Sequence, residues 1–238
     1  MNNKIITVVT INLNNAEGLE KTILSVISQT CFDKIHFVII DGGSTDGSKE
    51  IIKKYKNLLG YSTSRQDKGI YNAFNKALSH LKGDYVLFLN SGDYLVSETT
   101  IEQVLNYLHN EVIIYGDQML YGNKKLVNLG GVSIMVHSDE VVATNKILPD
   151  KLNEDFFRTN SLPHQATFIK TEYMKEHPYS EEYRIIGDWK LLREAIIDNK
   201  VSYKHIPVTV SYFALDGISS KDDTYIKEKT DYYKTIDK

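Results

Sequence analysis

Hydrophobic residues in the first half of the chain form short continuous runs, each followed by a stretch of helical spacing. Residues 5–11, 35–40 and 85–89 are apolar runs, too short for ordinary helices and typical of buried, parallel strands. Apolar residues three or four positions apart predict amphipathic helices around 19–27, 48–55, 70–81 and 101–108. This alternation predicts an α/β fold, with a mostly parallel sheet flanked by helices and right-handed crossovers between its strands.

The second half of the chain has a weaker pattern. We expect a hairpin turning at Gly122-Asn123-Lys124, a long loop over residues 138–163, and a helix that opens after Gly187-Asp188. Further strands are predicted at 112–115, 164–169 and 201–210, before a lysine- and tyrosine-rich tail at 225–233. Neither a repeat nor a linker divides the sequence, which indicates a single domain over residues 1–238 with a regular and a mixed lobe.

Each of the three early strands is followed by a turn rich in polar side chains, at residues 12–15, 41–46 and 90–93. The carboxyl ends of parallel strands lie along one edge of the sheet, where ligands bind in open α/β folds. On that edge Asp41 can accept hydrogen bonds from a ribose or a base, and Asp93 is a candidate ligand of a metal or nucleotide. The alternative for Asp93 is an ordinary turn residue, and for Asp46 a helix cap.

Composition and charge narrow the class of protein. A formal net charge of −3 offers no basic surplus for nucleic acid, so we expect no nucleic-acid partner. The single cysteine, Cys31, excludes an intramolecular disulfide and a cysteine-built zinc site, and we interpret it as structural. The first residues do not resemble a signal peptide, and no apolar stretch approaches the roughly 18 residues of a membrane span, which predicts a cytoplasmic protein.

Five motifs follow one another at compatible spacing. They are Thr-Val-Val-Thr-Ile-Asn-Leu-Asn-Asn, Ser-Val-Ile-Ser-Gln-Thr, Val-Ile-Ile-Asp-Gly-Gly-Ser-Thr-Asp-Gly-Ser, Asp-Lys-Gly-Ile-Tyr-Asn-Ala-Phe-Asn-Lys-Ala and Gly-Asp-Tyr-Val-Leu-Phe-Leu-Asn-Ser-Gly-Asp. Over residues 5–105 the chain thereby resembles the family-2 glycosyltransferases, which use nucleotide-sugar donors on the GT-A fold. Its Asn-Ser-Gly-Asp variant is similar to that of bacterial enzymes of capsule, exopolysaccharide and colanic-acid-type biosynthesis.

The resemblance implies a Rossmann-like, nucleotide-sugar-binding lobe at 1–115 and a smaller, acceptor-binding lobe within 116–238. In the family, the end of the first strand and the aspartate after the second hold the base and ribose, and a later loop contacts the nucleotide and its phosphates. The residues at these positions here are Thr10, Asn12, Asp41, Asp67, Lys68 and Gly69. An exposed lysine such as Lys68 is also commonly just solvated.

The metal motif departs from the family pattern, which is usually Asp-x-Asp. Here Asn90 replaces the first aspartate and Gly92 the second, so that Asp93 is the remaining carboxylate. Mg²⁺ commonly uses one or two carboxylates together with waters and substrate phosphates. We therefore expect Mg²⁺ or Mn²⁺ at Asp93, with Asn90 as a neutral partner of the ribose or of a metal-bound water.

The resemblance also implies residues on the acceptor side. Asp188, in Ile-Ile-Gly-Asp-Trp, matches a family motif beside the acceptor, and we interpret it as the base that takes the proton of the attacking hydroxyl. The alternative is a helix N-cap. His164, in Pro-His-Gln-Ala-Thr-Phe, is a candidate contact to the acceptor or the leaving diphosphate, or else a structural histidine. Asp117 is a second candidate for acceptor contact, whereas His205 is interpreted as structural.

Together these expectations describe an inverting glycosyltransferase of surface polysaccharide biosynthesis. It would move a sugar from a nucleoside-diphosphate donor, a UDP-sugar first among them, to a glycan or lipid-linked oligosaccharide. The tail at 225–233 would contact the inner face of the cell membrane, or else form a solvated helix or dimer contact. Two other hypotheses are a nucleotide-sugar-binding module without transfer activity and a nucleotidyltransferase; the latter is disfavoured because no Gly-rich loop with a basic signature follows the first strand.

Overall fold

Strands and helices alternate through the first half of the structure, as the hydrophobic pattern predicts. The computed structural model describes residues 5–129, 132–214 and 224–237. The strands of the first half are β1 (Ile6–Asn12), β2 (Ile35–Asp41), β3 (Tyr61–Ser64), β4 (Tyr85–Phe88) and β5 (Tyr94–Leu95). Its α-helices are α1 (Ala16–Ile27), α2 (Ser48–Tyr55), α3 (Ile70–Leu78) and α4 (Thr100–Leu105).

The second half is mixed in character. Its strands are β6 (Ile113–Leu129), β7 (Val132–Lys146), β8 (Thr167–Lys170) and β9 (Tyr203–Ala214). Its α-helices are α5 (Glu154–Thr159), α6 (Thr171–Glu176), α7 (Gly187–Arg193) and α8 (Thr224–Ile236). None of the helices in the described ranges is long and apolar enough to cross a membrane.

Two predictions for the second half are wrong. The expected turn at Gly122-Asn123-Lys124 is part of β6, which continues to Leu129 with a shift of register between Gly122 and Lys124. Such an irregularity lets a strand keep its pairing across residues that elsewhere would form a turn. The expected loop at 138–163 instead contains the end of β7 and all of α5.

The described strands form one sheet in the order β3-β2-β1-β4-β8-β6-β9-β5, with β7 paired to β6. The first four are parallel, whereas β8 runs antiparallel to both β4 and β6. Asn12 at the end of β1 pairs with Asp41 at the end of β2, and Val9 pairs with Phe88 at the end of β4. The carboxyl ends of these strands therefore share one edge, as predicted.

Both faces of the sheet are covered by apolar side chains because successive residues of a strand point to opposite sides. Val9, Phe74 and Trp189 belong to the cluster on one face, which α3 and α7 complete. Val8 and Ile23 belong to the cluster on the other, which α1 and α4 complete. This double burial is typical of parallel sheets and explains the uninterrupted apolar runs in the sequence.

A single hydroxyl ties α1 to the turn after β4. The buried Oγ1 of Thr22 accepts a hydrogen bond from the N–H of Gly92 at 3.0 Å and lies 2.7 Å from the carbonyl oxygen of Asp93, to which it can donate. Its third neighbour within hydrogen-bond distance in that turn is the carbonyl of Asn90, at 3.2 Å. Thr22 therefore helps to set where the polar turn 90–93 lies relative to the sheet edge.

Replacing Thr22 by the isosteric valine would leave the Gly92 N–H without its partner at an unchanged side-chain volume. We expect Thr22→Val to lower the free energy of unfolding by about 1–3 kcal/mol, measured by urea denaturation. The matched control is Thr230→Val, since that exposed hydroxyl donates within α8, to the carbonyl of Ile226 at 2.8 Å; its expected change is within about 0.5 kcal/mol. Equal losses in the two variants would contradict the role given to Thr22.

Candidate active site

The end of β2 carries a buried and ionised carboxylate. Asp41 is 0% exposed, and its Oδ1 accepts from the Nδ2 of Asn12 at 2.8 Å while its Oδ2 accepts from the N–H of Ser44 at 3.0 Å. The hydroxyls of Ser44 and Ser64 donate to it as well. Burial by itself would raise the pKa of Asp41, but these hydrogen bonds outweigh it and lower that pKa. Both oxygens of Asp41 thus already hold protein donors in place.

Asn12 lies at the same edge, and its side-chain oxygen is available to a ligand. Its Nδ2 is used by Asp41 and by the hydroxyl of Ser44, at 2.8 and 3.2 Å. Its Oδ1 is buried and has no hydrogen-bond partner among the described residues. A buried acceptor without a partner is costly unless a ligand or water satisfies it. Thr10, in contrast, is fully buried and donates its hydroxyl to the carbonyl of Leu89 at 2.7 Å, which ties β1 to the end of β4.

The loop expected to contact phosphates lies against the turn after β2. A Cβ on Gly42 would lie 2.6 Å from the Oδ2 of Asp67, so the absence of a side chain at Gly42 allows this approach. The Oδ1 of Asp67 accepts from the N–H of Gly69 at 3.1 Å, and the N–H of Lys68 donates to the Oδ1 of Asn72 at 3.2 Å. Lys68 itself is exposed. The structure therefore brings Asp67, Lys68 and Gly69 to the edge formed by β1 and β2.

A chain of hydrogen bonds joins the end of β4 to the start of α7. The Nδ2 of Asn90 lies 3.0 Å from the Nε2 of His164, and the Nδ1 of His164 lies 2.8 Å from the Oδ2 of Asp188. The Oδ1 of Asp188 accepts from the N–H of Trp189 at 2.8 Å and lies 3.1 Å from the hydroxyl of Tyr71. Three residues taken from three separate motifs are thus in direct contact, and Tyr71 completes the set.

Charge is concentrated on the central pair of this chain. Burial would lower the pKa of His164, but the hydrogen bond and charge of Asp188, with a smaller contribution from the charge of Asp93, raise it. Burial would raise the pKa of Asp188, but the hydrogen bond and charge of His164 lower it. The pair is therefore stabilised as imidazolium and carboxylate. In the orientation seen here, the Nδ2 of Asn90 donates to a neutral ring and leaves Oδ1 free; to accept from a protonated ring, the amide must rotate and turn its Oδ1 to His164.

Tyr71 was not predicted to take part, although it stands within the fourth sequence motif. Its hydroxyl also donates to the carbonyl of Ile185, and burial, followed by the charge of Asp188, raises its pKa so that it stays protonated. A Cβ on Gly187 would lie 2.7 Å from the Tyr71 ring, so glycine is needed for this contact. A phenol in an otherwise apolar helix face was the available indication of its role. Asp188 is the second residue of α7, whose N-cap is Ile186, so the N-cap interpretation of Asp188 is wrong.

Three other candidate residues lie outside the hydrogen-bonded chain that ends at Asp188: Asp117, His205 and Asp46. The Oδ1 of Asp117 accepts from the N–H of Leu148 at 2.9 Å and lies 2.9 Å from the Nε2 of His205, whose Nδ1 is 2.8 Å from Asp150. This arrangement holds the segment that follows β7, which agrees with the structural interpretation of His205. Asp46 accepts from the N–H groups of Ala16 and Ser48, the first residues of α1 and α2, at 2.8 and 3.2 Å, although the N-cap of α2 is Gly47 and not Asp46 as expected.

The turn 90–93 has a donor set that fits a hard divalent cation. Asp93 is 5% exposed, and the Oδ1 of Asn90 is buried and has no hydrogen-bond partner among the described residues. Carboxylate and amide oxygens suit Mg²⁺ and Mn²⁺. Within the part of the chain that the structure describes, no three His, Cys, Asp or Glu side chains cluster as a metal site. A cation here would therefore complete its coordination with waters and the phosphates of a bound donor.

Comparison with known proteins places the chain in a family. A model of glycosyl transferase family 2 matches residues 7–178. The PGL/p-HBAD biosynthesis glycosyltransferase of Mycobacterium tuberculosis is 26% identical over 216 residues, which cover 87% of this chain and 76% of that protein. The cholesterol galactosyltransferase of Borreliella burgdorferi is 35% identical over 103 residues, which cover 42% of this chain and 28% of that protein.

Two solved structures share the architecture. S. aureus TarS 1-349 in complex with UDP-GlcNAc matches with a TM-score of 0.64 and 18% identity, over 88% of this chain and 58% of that one. Mannosyltransferase PcManGT from Pyrobaculum calidifontis, in complex with GDP-Man and Mn²⁺, matches with a TM-score of 0.64 and 14% identity, over 92% of this chain and 59% of that one. The chain thus spans less than two thirds of either structure, and at these identities the likeness concerns the fold.

The fold and the matched region define the class of protein. The architecture is the α/β GT-A fold of glycosyltransferases, as the sequence motifs implied. Because the family model matches well over half of the sequence, the chain belongs to glycosyl transferase family 2.

The titration of His164 reports on its contact with Asp188. We expect Asp188→Asn to bring the pKa of His164 from its raised position to below about 6.5, because the ring stays buried but loses the carboxylate. In the wild type, the raised pKa contributes stability that is complete below about pH 6.5 and is lost as the pH rises through the folded-state pKa. Histidine NMR spectra measured against pH, assigned with His164→Gln, give this value.

Asp117→Asn is the matched control for that titration, since it alters the neighbour of His205 and leaves His164 and Asp188 intact. We expect the His164 curve of this control to overlay the wild-type curve. A His164 pKa that is the same in Asp188→Asn and in the wild type would contradict the ion pair.

Proposed function

We propose that this chain is an inverting glycosyltransferase of surface polysaccharide biosynthesis. It transfers a sugar from a nucleoside-diphosphate donor, preferentially a UDP-sugar, to a hydroxyl of a glycan or lipid-linked oligosaccharide. The observation that carries the proposal is the hydrogen-bonded chain Asn90–His164–Asp188, which joins the edge where donors bind in open α/β folds to a buried carboxylate on α7. TarS in complex with UDP-GlcNAc supports the choice of a UDP-sugar, and the branch resemblance of the Asn-Ser-Gly-Asp motif supports the surface polysaccharide.

The nucleotide binds along the ends of β1 and β2. Asp41 keeps Asn12 and the turn 42–44 in place, and the unpartnered Oδ1 of Asn12 accepts a hydrogen bond from the base or ribose. Asp41 then acts on the nucleotide mainly through the groups that it orients, since both of its oxygens already accept protein hydrogen bonds. The exposed side chain of Lys68 can approach the charge of the diphosphate, and the hydrogen bonds from the N–H groups of Lys68 and Gly69 to Asn72 and Asp67 hold the loop in place.

A divalent cation at Asp93 would offset the negative charge that develops on the leaving diphosphate. Asp93 would hold it, and the Oδ1 of Asn90 would accept from a water on the cation or from the ribose while its Nδ2 donates to a neutral His164 ring. PcManGT in complex with GDP-Man and Mn²⁺ supports a metal in this fold. The proposed cofactor is Mg²⁺ or Mn²⁺.

Asp188 is the base. The acceptor oxygen attacks the anomeric carbon from the side opposite the diphosphate, the bond from that carbon to the phosphate oxygen breaks, and the hydroxyl proton passes to Asp188. This single displacement inverts the configuration of the sugar. Asp188 is ionised and can therefore accept a proton, and His164 fixes its orientation through Oδ2. His164 lies between Asp188 and Asn90, and so also faces the leaving diphosphate.

Asp188→Asn tests the base. A general base contributes roughly 10²–10⁴-fold, so we expect kcat for transfer to fall by at least about 10²-fold while the Kd for UDP changes by less than about twofold. Donor turnover is measured by UDP release across a panel of nucleotide-sugars, and UDP binding by calorimetry. The exposed aspartate on α5 provides a control, Asp155→Asn, that is expected to keep wild-type turnover. Retention of most transfer activity by Asp188→Asn would exclude Asp188 as the base.

Removal of the cation tests Asp93. We expect EDTA to abolish transfer and weaken UDP binding, and added Mg²⁺ or Mn²⁺ to restore both. In Asp93→Asn, the metal concentration for half-maximal UDP binding is expected to rise at least about tenfold, because the single carboxylate ligand is lost. UDP binding is measured by calorimetry over a series of Mn²⁺ concentrations. If EDTA leaves both binding and turnover unchanged, the metal role is refuted.

A further inference from the structure

Glu228 on α8 binds the backbone just before the helix that carries Asp188. Its Oε1 accepts from the N–H of Arg184 at 2.7 Å, and its Oε2 accepts from the N–H groups of Ile185 and Ile186 at 3.0 and 3.1 Å. One carboxylate thus satisfies three consecutive backbone donors. The last of these belongs to Ile186, the N-cap of α7, which lies two residues before Asp188.

Of these donors, the N–H of Ile186 belongs to the N-cap of α7, at the end of the helix where N–H groups have no partner within the helix, and those of Arg184 and Ile185 lie in the segment just before it. Ile185 is 7% exposed and Ile186 is 0% exposed, so water has little access to replace a lost hydrogen bond. A carboxylate is also favoured at this end of a helix by the helix dipole, and its hydrogen bonds are strengthened by its charge. The contact therefore sets the backbone path from which α7 starts.

The same segment is held from the opposite direction by α3. The hydroxyl of Tyr71 donates to the carbonyl of Ile185, while Glu228 accepts from the N–H of that residue. Tyr71 also lies 3.1 Å from the Oδ1 of Asp188. Residues 184–186 are therefore fixed between an α3 donor and an α8 acceptor, and Asp188 follows directly from the fixed segment.

Helix α8 is itself anchored to the elements around α7, and this anchoring fixes the position of Glu228. The Nζ of Lys229 donates to the carbonyl of Asn160 at 3.3 Å and lies 4.7 Å from the centre of the Trp189 ring. The hydroxyl of Tyr232 donates to Glu194 at 3.0 Å, and that of Tyr233 donates to Glu154 at 2.8 Å. Tyr232 and Tyr233 thus pack inward, against α5 and the end of α7.

We propose that Glu228 is a positioning residue for Asp188, and that α8 contributes to the active site through Glu228. The proposal rests on the function proposed above, in which Asp188 is the base. Glu228 touches neither donor nor acceptor; it holds residues 184–186 at the place from which Asp188 reaches both His164 and the acceptor hydroxyl. Its loss would misplace the base by a small distance and leave the nucleotide edge on β1 and β2 unchanged.

Glu228→Gln is the test, because it keeps the shape of the side chain but turns an amide N–H₂ toward backbone donors. We expect kcat to fall by about 10–100-fold, since a base displaced by about 1 Å loses this much, while the donor KM and the Kd for UDP stay within about twofold. The amide hydrogens of Arg184, Ile185 and Ile186 are expected to exchange faster by NMR.

Tyr233→Phe is the matched control on the same helix. It removes the hydrogen bond to Glu154 but keeps the aromatic contact with Trp189 and the hydrogen bonds of Lys229 and Tyr232, so one contact of α8 is lost while Glu228 stays in place. We expect its kcat to stay within about twofold of wild type and the three amides to exchange as in the wild type. Comparison of the two variants separates positioning of the base from docking of the helix.

Two results would overturn the inference. Unchanged amide exchange in Glu228→Gln would mean that Glu228 does not hold the segment, and a kcat equal to that of Tyr233→Phe despite faster exchange would mean that the segment does not position the base. Failure of the proposed function is recognised separately, as a wild-type chain that turns over no nucleotide-sugar. In that case Glu228 has no role in catalysis to explain. The exchange rates of the three amides still decide whether Glu228 holds residues 184–186.

Discussion

The hydrogen bond between His164 and Asp188 connects the two parts of the active site that the rest of the structure positions. One end of the connection lies on the central parallel strands, where β4 delivers Asn90 to the edge of the sheet. The other lies on α7, in the mixed half of the chain, which supplies Asp188. Because burial disfavours both charges separately, each of the two groups depends on the other to remain ionised. A displacement of either element would therefore change the charge of the site as well as its shape.

The asparagine that replaces the first aspartate of the usual Asp-x-Asp motif lies beside the pair of His164 and Asp188. Asn90 lies 3.0 Å from the Nε2 of His164, a distance at which an aspartate would compete with Asp188 for the imidazolium. A neutral amide avoids this competition and can donate or accept as the protonation state of His164 requires. The carboxylate that remains, Asp93, still affects the pKa of His164 through its charge. The proposed metal ligand and the proposed base are thus both coupled electrostatically to one histidine.

Much of this site could be predicted from local sequence. The strand runs, the polar turns that follow them and the motifs around Asp41, Asn90, His164 and Asp188 have short-range patterns, and the structure brings the last three into contact. Tyr71 lies within one of the motifs and Glu228 in none, and neither role could be predicted from local sequence, because both depend on backbone groups more than 40 residues away in the chain. The extent of β6 also escaped prediction, since pairing with β7 overrides the turn preference of Gly122 and Asn123.

The sequence by itself determined the alternation of strands and helices, the edge on which polar residues gather, and the family. These follow from periodicity, from the geometry shared by all parallel sheets, and from motifs that are contiguous in the chain. Only the tertiary structure decided that the end of β4 meets α7 through His164, and that α8 packs its tyrosines inward and places Glu228 under residues 184–186. Contacts of this kind depend on the packing of distant segments, and helical or strand periodicity carries no information about which distant partner a polar side chain will meet.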